Sequence, residues 1–154
     1  MHVTLVCVGR LKERHWQDAA AEYLKRLKPY ARVDIVEVPD QDVSADEARA
    51  LAAESAAIVR ALPQGAMVAV LDIGGTARSS EGLAEWIEQM GTSGKSHIAF
   101  IVGGAAGLHP DVLARAEERI SLGPLTLPHQ LARVVLLEQL YRAFRIIRGE
   151  PYHR

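Results

Sequence analysis

The sequence predicts an α/β fold, a parallel-rich sheet with helices on both faces, built as a single domain over residues 1–154. Two observations carry that expectation. Runs of β-branched and aliphatic residues of strand length alternate along the chain with longer stretches of helical periodicity. Glycine, proline or a polar cap punctuates nearly every junction, and no repeat, low-complexity tract or linker interrupts the series.

Val3 to Val8 reads as a buried first strand, and Trp16 to Leu27 as an amphipathic helix ended before Pro29. Val33 to Val38 is a second strand, with Asp34 and Glu37 marking it as exposed or at an edge. Ser44-Ala45-Asp46-Glu47 has the form of a capping box and opens an alanine-rich helix reaching about Leu62, where Pro63-Gln64-Gly65 turns the chain. Ala66 to Asp72 is a third strand followed by a Gly74-Gly75 loop, and Ser80 caps a short helix ending near Gly91. His97 to Val102 is the fourth strand. A helix from Pro110, suited to a first turn, is expected to reach Glu118. Ile120-Ser121-Leu122 makes a short strand before the last helix, Gln130 to Arg148, which Gly149 stops.

Apolar residues make up 49% of the chain and charged residues 24%, a globular balance. No apolar run approaches the roughly 20 residues that cross a bilayer. The first residues lack the basic start of a signal peptide. Cys7 is the single cysteine and reads as a small buried hydrophobe, so a reducing, cytoplasmic setting is the default. No Cys/His cluster has zinc spacing, and no metal is expected. The net charge of −1 hides an uneven distribution: Lys and Arg dominate residues 1–32 and 130–154, and acids dominate 34–60. Basic ends leave room for a phosphate-contacting face.

Ligands in open α/β sheets bind beyond the carboxyl ends of strands, which places Leu71-Asp72, Gly103-Gly104 and Leu122-Gly123 on one rim. Glycines there admit a ligand close to the main chain. The cluster Gly103-Gly104-Ala105-Ala106-Gly107 is neither a dinucleotide fingerprint nor a Walker loop, and no nucleophile elbow occurs. A nucleotide-binding oxidoreductase and a serine hydrolase therefore lack their signatures. Leu125-Thr126-Leu127-Pro128 offers apolar walls and free main-chain groups that suit a heteroaromatic ring. His129 is read as a structural residue at the helix start, and His2, His15, His97 and His109 as incidental. Tyr152-His153-Arg154 supplies a stacking surface, a proton acceptor near neutral pH and a phosphate fork, preceded by Arg142, Arg145 and Arg148 at helical spacing. Val134-Val135-Leu136-Leu137 covers all sides of the last helix with apolar groups, which predicts burial all round and a homodimer interface.

The residues Thr126-Leu127-Pro128-His129, Arg133, Glu138-Gln139-Leu140-Tyr141-Arg142-Ala143 and Tyr152-His153-Arg154 resemble the RlmH-type family of large-subunit (23S) rRNA pseudouridine methyltransferases, in the SPOUT class. Val8-Gly9-Arg10-Leu11-Lys12 extends the resemblance to the start of the chain. The resemblance implies a C-terminal trefoil knot, an exception to unknotted topology. It implies S-adenosylmethionine as cofactor, touching Leu71, Gly103, Leu122, Gly123, Pro124, Leu125, Thr126 and Leu127, in a homodimer with sites near the interface. The implied substrate is N3 of a pseudouridine in 23S rRNA, within an assembled ribosome. That nitrogen must shed a proton, a task assigned to His153 or a water held by the tail, with Arg154 or Arg142 steadying the anion beside Tyr152. Family members often carry an acid between Gly104 and Gly107, where this chain has Ala105-Ala106, and commonly a serine where it has Gly123 before Pro124. A noncatalytic ribosome- or RNA-associated module retaining the fold is the alternative reading.

Overall fold

A computed structural model describes residues 1–105 and 107–152. Five strands, β1 (His2–Val8), β2 (Arg32–Val38), β3 (Met67–Ala77), β4 (His97–Val102) and β5 (Glu118–Ser121), form one sheet in the order β2-β1-β4-β3-β5. Every pairing is parallel. Five helices join or follow them: α1 (Arg14–Leu27), α2 (Glu47–Ala61), α3 (Ser80–Thr92), α4 (Pro110–Arg115) and α5 (His129–Ile147).

Side chains alternate across a strand, and β1 divides its residues accordingly. Leu5 and Cys7 face a core with Leu27 of α1, Leu83 and Ile87 of α3 and Leu137 and Leu140 of α5. Val6 and Val8 face a second, smaller core with Ile58 of α2 and Val112 of α4. The sheet is thus covered on both faces, as the alternating pattern predicts. β2 sits at the edge, which explains the acids along it.

The differences from the sequence expectation have local causes. Asp46, not Ser44, caps α2 by accepting from the Arg49 amide at 3.0 Å, because Ser44 is bound through both its hydroxyl and amide to Asp42. Ser79 rather than Ser80 caps α3, accepting from Gly82. α4 stops at Arg115 because Ala116 is extended and the Glu117 amide bonds to Val68 O at 2.9 Å, committing the chain to β5. β3 continues past Asp72 to Ala77: Leu71 and Thr76 both pair with Ile120, so residues 72–75 leave the ladder and rejoin it.

α5 is not buried all round within the chain. Leu136, Leu137, Leu140, Ala143 and Phe144 are buried where it packs between α1 and α3, while Leu131, Val134 and Val135 remain partly exposed. Arg133 is buried too, with its side chain 3% exposed, donating to Glu37 at 2.7 Å and to Gly9 O at 2.9 Å. At the amino ends of the strands the His2 and His97 rings stack at 3.9 Å. His2 bonds Asp34 and His97 bonds Thr4, so neither histidine is incidental.

Candidate active site

Three strand ends meet at the carboxyl edge of the sheet. β5 is the outermost strand, yet the helix that follows it packs back beside α1 and α3, so the connecting residues 122–128 must cross the ends of β3 and β4. The crossing encloses a cavity of about 710 Å³, within the usual range for small-molecule sites. Its wall takes Leu71, Asp72 and Ile73 from β3, Gly103 to Ala105 and Gly107-Leu108 after β4, and Leu122, Gly123, Leu125, Thr126 and Leu127 after β5. His129 and Ala132 of α5 complete it. Of the residues expected at a cofactor, Pro124 alone is not part of the wall.

Glycine is required here for two separate reasons. Behind the wall there is no room: a Cβ on Gly104 would lie 2.9 Å from Val8 Cγ1, and one on Gly103 3.0 Å from Leu108. On the wall itself the backbone demands it, with φ at +79° for Gly107 and +110° for Gly123. A serine at 123 would be strained in this conformation, which accounts for the glycine. Ser121 fixes that turn, its hydroxyl accepting from Gly123 N at 3.1 Å and donating to Gly123 O at 3.2 Å. Ile73 and Leu125, 64% and 76% exposed, form an apolar rim.

Between Gly104 and Gly107 the chain carries no acid, and Ala106 lies outside the described residues. A carboxylate approaches from behind instead. Glu54 of α2 is 4% exposed, its Oε2 accepts from Gln41 N at 2.8 Å, and its Oε1 has no hydrogen-bond partner. That oxygen stands 3.6 Å from the place of a Gly104 Cβ. His129 makes no capping bond, whereas His109 caps α4 by accepting from Asp111 N at 3.1 Å. Cys7 is buried and its thiol is pushed up to about 11 by desolvation, which removes it as a nucleophile. Among the described residues no group of three His, Cys, Asp or Glu could hold a metal ion.

Arg142 and Tyr152 come together, but away from this cavity. The Arg142 guanidinium donates to Glu138 Oε1 from Nη2 at 2.5 Å and from Nε at 3.0 Å, and lies 4.8 Å from the centre of the Tyr152 ring. The Tyr152 hydroxyl donates to the same Glu138 oxygen at 3.3 Å. Burial, then the Glu138 charge, holds the Tyr152 phenol above its ordinary range, so it stays protonated and acts as a donor. The tail is anchored as far as Tyr152: Arg145 pairs with Glu150 and donates to Pro151 O, and Arg148 donates to Pro29 O. His153 and Arg154 lie outside the described residues.

Sequence reasoning placed Asp72 on the rim without a role and missed His129 as part of the wall. The signal for the first was the pair Gly74-Gly75, which marks a bulge as readily as a loop.

A parallel α/β sheet with a ligand cavity across its carboxyl ends, walled by glycines and apolar residues, defines a small-molecule-binding protein of the doubly covered α/β class. The family profile described as "Predicted SPOUT methyltransferase" matches residues 1–153, and the chain belongs to that family. It is 49% identical over 159 residues to a protein of Listeria monocytogenes named ribosomal RNA large subunit methyltransferase H, with both chains covered completely. It is 48% identical over 161 residues to the protein of that name from Symbiobacterium thermophilum, again over the full length of both. Among solved structures, a probable methyltransferase from Bordetella pertussis superposes with a TM-score of 0.58 at 16% identity, covering 92% of this chain and 95% of that one. A putative methyltransferase from Legionella pneumophila, solved with bound SAM, gives 0.52 at 12% identity over 93% of this chain and 66% of that one. Both likenesses are of fold.

Proposed function

We propose that this chain is an S-adenosylmethionine-dependent methyltransferase of large-subunit rRNA, acting on N3 of a pseudouridine in the 23S molecule on the assembled ribosome. The observation that carries the reading is the end-to-end relatedness to proteins named for methylation of the large ribosomal subunit RNA. The residues fit the cofactor. Apolar side chains and main-chain groups of 122–127 suit an adenine ring, and the open space before Gly107 and Gly123 lets a ligand lie against the backbone. When bound, S-adenosylmethionine supplies a methyl group already activated on sulfur. The wall's part is to hold that group in line and exclude water.

The remaining work falls to the tail, with His153 or a water it holds taking the N3 proton and Arg154 or Arg142 steadying the anion. Arg142 stands thirteen residues beyond His129, about 20 Å along the α5 axis. The two groups of residues serve one reaction if the tail of one copy meets the cavity of another. The partly exposed apolar stripe of Leu131, Val134 and Val135 supports α5 as the surface where two copies meet. The crossing of residues 122–128 supports a trefoil knot, and the two-sided core supports one domain throughout. No helix among the described residues is long and apolar enough to cross a membrane, and a ribosomal substrate supports a cytoplasmic site of action.

Transfer of labelled methyl from S-adenosylmethionine to ribosomes lacking the modification tests the proposal. Label recovered on N3 of a pseudouridine is the expected result. Cofactor binding without transfer to any ribosomal particle or rRNA would favour the noncatalytic module.

A further inference from the structure

Asp72 reaches the cavity through a detour that the sheet itself does not need. Residues 72–75 leave the β3–β5 ladder and rejoin it, and a bulge of this kind re-aims the side chains it carries. The detour is closed at Gly75, where a Cβ would stand 2.7 Å from the carbonyl carbon of Arg119. Only glycine permits that approach. As a result Asp72 is the one carboxylate among the described residues of the wall, and His129 is the only other ionisable group there. Among the described residues its ion-pair partner is Arg119, whose Nη1 is 3.9 Å away on a half-exposed side chain. A pair so long and so wet leaves most of the negative charge uncompensated.

A single uncompensated charge beside an apolar wall sorts ligands by their net charge. S-adenosylmethionine carries a sulfonium, an ammonium and a carboxylate, one positive charge in sum. Its demethylated product has lost the sulfonium charge and is neutral in sum. We infer that Asp72 is the counter-charge by which the cavity holds the methyl donor in preference to the spent product. The inference rests on the S-adenosylmethionine reading above. The wall at 122–127 meets the part common to both molecules and contributes affinity without this preference. Once the methyl group has left, the attraction to Asp72 weakens and the product is released more readily.

Calorimetric titration of the full chain with S-adenosylmethionine and with S-adenosylhomocysteine tests this without turnover. The wild-type chain should bind the donor about tenfold more tightly than the product, as expected for one partly screened charge pair. Asp72→Asn should weaken the donor by about tenfold and the product by less than about twofold, so that the preference collapses. Arg119→Gln, which lies outside the wall, should widen the preference, and it carries the test alone if Asp72→Asn does not fold. Equal loss of both ligands in Asp72→Asn, or an unchanged ratio in either variant, would overturn the inference while leaving the methyltransferase reading intact. A wild-type chain that bound neither ligand would overturn that reading, and this inference with it.

Discussion

At its first turn α5 leans on a cavity walled by glycines and apolar side chains; near its last turns it carries a cluster of charged and aromatic ones. Around His129 and Ala132 the wall sets glycines among leucine and isoleucine side chains, shaped by positive φ at Gly107 and Gly123 and by the close approach of Gly104 to Val8. Around Arg142 the contacts are a guanidinium, a carboxylate and two tyrosine rings, Tyr141 and Tyr152 standing edge to face at 4.7 Å. The difference teaches where each end is vulnerable. A wall closed at its glycines does not tolerate the addition of a Cβ where space is already filled. A side-chain cluster tolerates small backbone shifts and fails on truncation of one group.

The sharpest way to break the comparison is Gly104→Val, which drives a branched side chain into Val8. Donor affinity should fall by about a hundredfold, because overpacking must displace the wall itself. Equilibrium binding checks this, and an affinity within about threefold of wild type would contradict the packing argument. Arg142→Ala should do the reverse, lowering turnover about a hundredfold with donor affinity within about twofold, because the role proposed for Arg142 is to steady the anion and not to bind the donor. Parallel losses in both quantities would erase the distinction between the ends.

Arg133 lies between them and touches neither. Its truncation to Ala strips Glu37 and the Gly9 carbonyl of their donor, and should cost about 2–3 kcal/mol in urea denaturation. A loss under about 0.5 kcal/mol would show that water replaces it freely. Lys should not rescue, having no planar fork to serve both partners. The smallest effect belongs to the far edge of the sheet. Burial, and then the neighbouring His2, lowers the His97 pKa below its ordinary 6.5. The folded state therefore binds fewer protons than the unfolded one just below that value. Stability should be flat above about pH 7 and decline as the pH falls through 6.5 and below, and His97→Gln should remove the slope. Donor affinity at fixed pH should not respond to that substitution.

The fold was legible because its signals are periodic. β1 and β4 are long apolar runs, and nothing competes with a buried parallel strand for such a sequence. Caps were harder: Ser44 and Asp46 both suit an N-cap, and the choice turned on Asp42 occupying the serine, a contact no pattern predicts. The end of α4 was set by a tertiary bond from Glu117 to Val68, invisible to local propensity. At the site, Gly103 and the 122–127 stretch stood out by composition and by family resemblance. Asp72 was placed on the same rim, but the bulge that carries it was not foreseen, because its register is fixed by β5, far along the chain. The apolar run of α5 exceeds what its own sheet covers, as the sequence predicts, since Leu131, Val134 and Val135 keep a partly exposed face within the chain.

The central claim is that the donor held at one end of α5 meets the target through the tail of another copy. Mixing two inactive variants tests it most directly: Gly104→Val, with its cavity blocked and its tail intact, and Arg142→Ala, with the reverse. After co-refolding, mixed pairs contain one intact cavity facing one intact tail, and labelled methyl transfer to unmodified ribosomes should return to roughly a quarter of wild type, the share statistical pairing allows. Activity that never exceeds the sum of the separate variants, in mixtures shown to contain mixed pairs, would mean that cavity and tail of one chain act together and that the account is wrong.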